Sequence, residues 1–119
     1  MKLMAMVMVT DMTASVTFYE SLGLVRKESG EVNPYWNEFA IGDARLALHY
    51  ASVDEIQPAS RQLQLNLDLP TGGALDALRD SCLALGLELG GDISEQGFGR
   101  FFWIRDPDGL PIQFNESGA

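Results

Sequence analysis

The stretch MTASVTFYESLGL (residues 12–24) is typical of a helix that ends on a glycine between two leucines. Asp11 comes directly before it, and aspartate is a preferred N-cap because its carboxylate accepts hydrogen bonds from the first N–H groups of a helix. Glycine at position 23 permits the left-handed conformation with which many helices end. The stretch therefore predicts a helix over residues 12–22.

A second stretch, GGALDALRDSCLALGL (residues 72–87), repeats this pattern and again ends on Leu-Gly-Leu. It predicts a helix over residues 72–85, with Thr71 as its N-cap. The apolar residues of this helix fall on one stripe, which should face the core. The stripe contains Leu75, Leu78, Cys82 and Leu85.

Strand-like segments precede and follow each predicted helix, so the chain is read as a βαβββ module that occurs twice. The modules span about residues 1–53 and 62–119, and a polar linker at 54–61 joins them. A chain of 119 residues is long enough for one domain. We expect an α+β fold in which the two modules form a curved mixed sheet with the helices outside.

Alternation along the strands predicts which side chains share a face. In QLQLNLDL (residues 62–69) every second residue is leucine, and these leucines should pack on the helices. The first strand alternates in the same way, with small and branched residues on one side and methionines on the other. The faces away from the helices then contain Met4, Met6 and Met8 from the first strand and Gln62, Gln64, Asn66 and Asp68 from the later one.

A hairpin is predicted around Ile41-Gly42-Asp43-Ala44, because glycine suits the first position of a two-residue turn. Its register pairs Phe39 with Leu46, Glu38 with Ala47, and Trp36 with His49.

A second hairpin is predicted around the turn Asp106-Pro107-Asp108-Gly109. As a four-residue turn it pairs Phe102 with Gln113 and Trp103 with Ile112, although longer loops admit several pairings. Phe102 is then expected to face away from the helices, and Trp103 to face the core.

These registers collect thioether, aromatic and amide side chains on one mixed face. A face exposed to bulk solvent would instead be rich in lysine and glutamate. We therefore interpret the mixed face as the lining of a ligand-binding cleft. Its residues are Met4, Met6, Met8, Trp36, Glu38, His49, Gln62, Gln64, Asn66, Phe102 and Gln113.

The formal net charge of −9 argues against nucleic acid or an anionic membrane surface as a partner, and leaves cationic small molecules open. The single cysteine, Cys82, cannot form an internal disulfide and suits a reducing compartment. The apolar start MKLMAMVMV is too short to span a membrane. A cytoplasmic protein is expected.

The stretches TDMTASVTFYESLGL (residues 10–24) and GFGRFFWIRDPDGLPIQF (residues 97–114), together with the repeated module, resemble the vicinal oxygen chelate superfamily. This superfamily includes glyoxalase I, extradiol dioxygenases, fosfomycin-resistance enzymes and bleomycin-resistance proteins. The resemblance covers nearly the whole chain. It implies two βαβββ modules, a homodimer, and sheets that enclose the binding site.

Enzymes of this superfamily hold a divalent metal with His, Gln or Glu side chains, and the resemblance assigns these positions here. The first-strand position falls at Met4, the next at Ala47, the third at Gln62 or Gln64, and the last at Gln113. Thioether, methyl and neutral amide groups do not compensate a divalent cation for its lost water. We expect no metal and no other cofactor.

The segment EQGFGRFFWIRDPDG (residues 95–109) is similar to segments of the metal-free bleomycin-resistance proteins. That branch implies a protein that binds or sequesters a small aromatic or cationic molecule in a cleft of the homodimer. This chain has no proline beside its first strand, which leaves strand exchange between subunits open.

The alternative is an enzyme of the same superfamily, a lyase, isomerase or dioxygenase with unconventional metal ligands. For that case His49 and Glu38 are the candidate ligands, since His49 is the single histidine. The sequence leaves the identity of the ligand, the pathway and the presence of catalysis open.

Overall fold

The computed structural model describes residues 3–52, 63–97 and 99–117. The chain divides into two compact units, Met1–Gln57 and Pro58–Ala119, and each is described by itself as a module. Both follow the order βαβββ, as the sequence predicts. The predicted linker at 54–61 and the predicted site residue Gln62 lie outside the described residues.

The first module contains one helix and a four-stranded sheet of order β1-β4-β3-β2. Its elements are β1 (Met4–Val9), α1 (Met12–Ser21), β2 (Val25–Arg26), β3 (Trp36–Ile41) and β4 (Ala44–Tyr50). Strand β1 runs parallel to β4, and the other neighbours are antiparallel. Helix α1 packs on one face of the sheet. The core between them contains Val9, Val16, Tyr19, Phe39, Leu46 and Leu48.

The start and end of α1 agree with the sequence prediction. The Asp11 carboxylate accepts a hydrogen bond of 3.1 Å from the backbone N–H of Ala14, which satisfies one of the N–H groups at the helix start. Gly23 follows the helix with a φ of 91°, a left-handed conformation that costs glycine little. The hairpin register is also confirmed, since Ile41 pairs with Ala44 and Trp36 pairs with His49.

The second module repeats this plan with a sheet of order β5-β8-β7-β6, in which β5 is parallel to β8. Its elements are β5 (Leu65–Leu69), α2 (Ala74–Ala84), β6 (Ser94–Gln96), β7 (Gly99–Arg105) and β8 (Pro111–Ser117). Helix α2 packs on one face of this sheet. The buried residues of the module include Leu75, Cys82, Phe102, Ile104, Leu110, Ile112 and Phe114.

The predicted start of the second helix was wrong. Helix α2 begins at Ala74 after Gly73, and no side chain caps it. Gly72 and Gly73 both have φ values near the left-handed region, 101° and 102°, so the chain turns between Thr71 and the helix. The predicted stripe also ends early, because Leu85 follows the helix and is 55% exposed.

The predicted register of the second hairpin was wrong by one residue. Phe102 pairs with Phe114 and Trp103 pairs with Gln113. The loop is longer than four residues because the Asp106 carboxylate accepts hydrogen bonds from the backbone N–H groups of Asp108 and Leu110, at 2.9 Å and 2.8 Å. Leu110 is thereby drawn into the loop and buried.

This shift by one residue exchanges the faces of two aromatic side chains, because neighbouring strand residues point to opposite sides. Phe102 is 1% exposed and belongs to the core, so its predicted place on the mixed face was wrong. Trp103 lies on the other face, beside Gln113.

A network of charged side chains fastens α2 to the second sheet. Arg100 on β7 donates to both carboxylate oxygens of Asp76 on α2, at 2.8 Å and 3.0 Å, and to Glu116 on β8 at 2.9 Å. The hydrogen bond from Arg100 is the main reason that the pKa of Asp76 lies below its ordinary value. Among the described residues, no helix is long and apolar enough to cross a membrane.

Candidate functional site

Each sheet has a face opposite its helix, which we call the open face. In the first module the three methionines of β1 lie on this face and are each about two-fifths exposed, at 37–43%. Strand pairing places the polar and aromatic residues of β3 and β4 beside them. The open face of the first module contains Met4, Met6, Met8, Trp36, Glu38, Arg45, Ala47 and His49.

Trp36, Glu38 and Arg45 are joined by hydrogen bonds on this open face. The indole N–H of Trp36 donates to Glu38 Oε2 at 3.0 Å, and the Arg45 guanidinium donates to Oε1 at 3.0 Å. The indole hydrogen bond, followed by the charges of Lys27 and Arg45, holds the pKa of Glu38 below its ordinary value. Glu38 is therefore an ionised carboxylate with both oxygens already engaged.

His49 lies beside this group, with its ring at 85° to the Trp36 indole and the ring centroids 5.8 Å apart. Such an edge-to-face contact fixes the orientation of the indole. Ala47, between these residues along the face, is fully buried and offers only a methyl group. The open face of the first module is thus an indole plane bordered by thioethers and by one ionised carboxylate that is paired with Arg45.

The open face of the second module carries a chain of four hydrogen-bonded side-chain amides, which we call the amide chain. Gln113 Nε2 donates to Asn115 at 2.7 Å, while Gln113 Oε1 accepts from Gln64 at 3.2 Å. The Gln64 amide also donates to Asn66 at 2.8 Å. The amide chain therefore uses both polar ends of Gln113 within the protein.

Trp103 stands next to the amide chain, as the cross-strand neighbour of Gln113. The Arg105 guanidinium lies 5.1 Å from the centroid of the Trp103 ring, close enough for a cation–π contact. Sequence reasoning placed this tryptophan in the core. The face that Trp103 takes depends on the register between β7 and β8, and the length of the loop after β7 determines this register.

The structure brings most of the predicted site residues onto the two open faces. Met4, Met6, Met8, Trp36, Glu38 and His49 share the open face of the first module. Gln64 and Gln113 are hydrogen-bonded to each other in the second. Phe102 is removed from the set by its burial, and Gln62 lies outside the described residues.

The residues at the expected metal positions do not fit a divalent cation. Ala47 has no donor atom, Met4 offers a soft thioether, and Gln113 is committed to the amide chain. Glu38 is committed to Trp36 and Arg45, which argues against a site built with His49. In the described parts of the chain, no three His, Cys, Asp or Glu residues form a group that could hold a metal.

Two βαβββ modules, each with one helix on a four-stranded mixed sheet, define a class of small α+β proteins built by repetition of one unit. The sequence profile of the Glyoxalase/Bleomycin resistance protein/Dioxygenase superfamily matches residues 3–114. The chain belongs to this superfamily. Among curated proteins, none matches the sequence at a significant level.

Solved structures of similar fold cover nearly the whole chain. Lactoylglutathione lyase from Agrobacterium tumefaciens is 17% identical, with 96% of this chain and 91% of that chain covered and a TM-score of 0.70. A fosfomycin resistance protein from Listeria monocytogenes is 16% identical, with coverages of 95% and 89% and a TM-score of 0.74. An antibiotic binding protein from Streptomyces sp. CB03234 is 24% identical, with coverages of 99% and 96% and a TM-score of 0.75. At these identities the likeness concerns the fold.

Proposed function

We propose that this protein binds or sequesters a small aromatic or cationic molecule and does so without a metal ion. The observation that carries the proposal is the amide chain. Gln113 stands at the last expected metal position, and both ends of its amide are hydrogen-bonded to neighbouring amides. A side chain held in this way orients the polar edge of a ligand and does not serve as a metal ligand.

The aromatic character of the ligand follows from the two tryptophans. Trp36 and Trp103 each lie on an open face and are partly accessible, and each is held in place by a neighbouring charged residue. An indole fixed in this way offers a flat apolar surface with little loss of conformational entropy on binding. Met4, Met6 and Met8 supply adaptable surface beside Trp36.

The names of two of the similar proteins connect them with small molecules, which supports the proposal. The Streptomyces protein is an antibiotic binding protein, and the Listeria protein is a fosfomycin resistance protein. We propose a role of the first kind here, without assigning the same ligand. The homodimer and the cytoplasmic location expected from the sequence remain predictions.

The test is a titration of the ¹⁵N-labelled protein with three naphthalene probes of matched size. They are 1-naphthylmethanol, 1-naphthylmethylammonium and 1-naphthoate, and the indole N–H signals of Trp36 and Trp103 are followed. We expect saturable shifts of at least one indole signal, unchanged by a chelator. Binding that disappears with chelator and returns with a divalent metal would favour the metalloenzyme alternative.

Variants show whether an open face is responsible. Stacking on an aromatic ring contributes about 0.5–1.5 kcal/mol, so Trp36→Leu should weaken binding on the first module about two- to tenfold. Tyr50→Leu is the matched control, because Tyr50 is an exposed aromatic residue of the same sheet that pairs with Val9, away from the open face. Equal losses in both variants would contradict the proposed site.

A further inference from the structure

The Trp103 indole lies flat on the backbone of Gly90. The backbone N–H of Gly90 donates to the carbonyl of Trp103 at 2.8 Å, which holds the two residues side by side. A Cβ atom added to Gly90 would lie 2.1, 2.3 and 2.4 Å from the indole atoms Cε2, Cζ2 and Cδ2. Nearly equal distances to three joined ring atoms place this point above the ring plane and not at its edge. Glycine at position 90 is therefore what allows the indole to lie face down.

Arg105 brings a positive charge to this indole. Its guanidinium is 5.1 Å from the ring centroid, and its Nη1 donates to the carbonyl of Gly109 at 3.0 Å. Among the described residues, no carboxylate forms an ion pair of 4.0 Å or less with the Arg105 guanidinium. The Arg105 guanidinium is thus anchored by a neutral carbonyl.

A cavity of 310 Å³ opens beside this pair of residues. Its walls contain Leu87, Glu88, Leu89, Gly90, Trp103 and Arg105. Leucine side chains and the indole supply apolar surface, while the charged groups are Arg105 and Glu88. Gln113, a member of the amide chain, lies directly across the strand pair from Trp103.

We propose that Trp103, laid on Gly90 and flanked by Arg105, is a stacking subsite for a planar aromatic molecule with an anionic oxygen on its edge, such as an aryl carboxylate or a phenolate. This rests on the proposed function and specifies its ligand class. Gly90 lies under one face of the indole and the Arg105 guanidinium lies over the ring, 5.1 Å from its centroid, so the aromatic plane of the ligand packs on the part of the indole that stays accessible. The oxygen of the ligand then accepts hydrogen bonds from the Arg105 guanidinium. Charge-assisted hydrogen bonds of this kind are stronger than those between neutral groups.

The same geometry disfavours a cation at this subsite. A second positive charge beside the Trp103 ring would be repelled by Arg105. On the other module, Glu38 does not provide a free negative charge, because Arg45 already pairs with it at 3.0 Å. Glu88 opposes an anion in the cavity, but Arg105 is the charge that lies against the ring on which the ligand stacks.

The three naphthalene probes test this assignment through the Trp103 indole signal, which is identified in the Trp36→Phe protein. Exposed ion pairs contribute about 0.2–1 kcal/mol, so 1-naphthoate should bind about 1.4- to fivefold more tightly than 1-naphthylmethylammonium. Arg105→Gln should abolish this preference and leave binding of the neutral 1-naphthylmethanol nearly unchanged. Arg105→Lys, which retains the charge, should keep part of it. Glu88→Gln should strengthen binding of 1-naphthoate.

Gly90→Ala tests the role of the flat indole. The backbone of Gly90 is not in the left-handed region, so alanine is accepted there without backbone strain and only the ring has to move. We expect a changed Trp103 signal, a preserved fold in the remaining NMR spectrum, and weaker binding of all three probes. Unchanged affinity for all three would overturn the role of Gly90 and of the stacked indole.

The outcomes separate this inference from the proposed function. Binding at Trp103 with equal or greater affinity for 1-naphthylmethylammonium overturns the anionic class and leaves a small-molecule-binding protein. Probe binding that shifts only the Trp36 signal overturns the subsite alone. If no probe shifts either indole signal, the proposed function fails and the subsite fails with it.

Discussion

At the scale of single residues, the neighbours of a side chain decide whether it is available to a ligand. Glu38 and Gln113 both lie on open faces, yet the oxygens of Glu38 accept from Trp36 and Arg45, and the Gln113 amide is engaged at both ends. Arg105 is bound by one backbone carbonyl and keeps donors for a ligand. Residue type alone would have ranked Glu38 first.

Ser15 gives a prediction at this scale. Its hydroxyl is fully buried in α1, and no hydrogen-bond partner for it exists among the described residues. An unpaired buried hydroxyl costs about 1–3 kcal/mol, and alanine favours helices. Ser15→Ala should therefore raise the free energy of unfolding by about 1–2 kcal/mol in urea denaturation.

The control for that measurement is Ser21→Ala at the end of the same helix. The Ser21 hydroxyl donates to the carbonyl of Phe18 at 2.6 Å, so its removal loses a hydrogen bond and should give no gain. A loss of stability in Ser15→Ala, equal to that in Ser21→Ala, would show that the Ser15 hydroxyl is satisfied in solution.

At the scale of elements, patterns of a few adjacent residues predicted strand faces and a short hairpin, whereas the register set by a longer loop could not be predicted. The alternating Leu65, Leu67 and Leu69 identified the faces of β5 correctly, and the short turn at Gly42 identified the register of its hairpin, because each depends on a few adjacent residues. Leu63, which precedes β5, is 45% exposed and does not follow the prediction. The register after Asp106 depends on whether Leu110 belongs to the loop or to β8. Two hydrogen bonds to one carboxylate decide this, and the sequence does not display them.

The flat position of the Trp103 indole could not be predicted from the sequence for a similar reason. Gly90 carries no sequence signal for a contact with Trp103, because the contact arises only when the segment around Gly90 pairs with β7. The prediction that Thr71 caps α2 was wrong because two glycines in the left-handed conformation lie between Thr71 and the helix. Contacts of this kind depend on conformation at several residues together.

The attachment of α2 to its sheet gives the prediction at this scale. Arg100 lowers the pKa of Asp76, so the stabilisation from this pair is present above the ordinary aspartate pKa and is lost as pH falls through the lowered value. Arg100→Gln should therefore reduce the urea midpoint more at about pH 6 than at about pH 2.5.

Arg79→Gln provides the matched control on the same helix. Arg79 pairs with Asp80 and Asp92, whose side chains are 70% and 79% exposed, and it lies 3.9 Å from Asp76, farther than Arg100 does. Exposed or long pairs of this kind contribute little. Its effect on the midpoint should be smaller at both pH values. A loss in Arg100→Gln that is the same at low and neutral pH would exclude the Asp76 pair as its source.

At the scale of the whole molecule, the two modules share a fold but carry different chemistry on their open faces. The first presents Trp36 beside a carboxylate that Arg45 neutralises, and the second presents Trp103 beside the amide chain and Arg105. Repetition of the module explains the fold that the sequence predicts. The difference between the faces supports the proposal of ligand binding without a metal.

The metal content of the purified protein tests this central claim most directly. Protein prepared without chelator is dialysed against metal-free buffer, incubated with Zn, Ni, Fe or Mn, dialysed again, and analysed by inductively coupled plasma mass spectrometry. Because the expected positions offer Met4, Ala47 and the engaged amide of Gln113, we predict far less than one equivalent of any metal. Retention of about one equivalent of a divalent metal per chain would contradict the account.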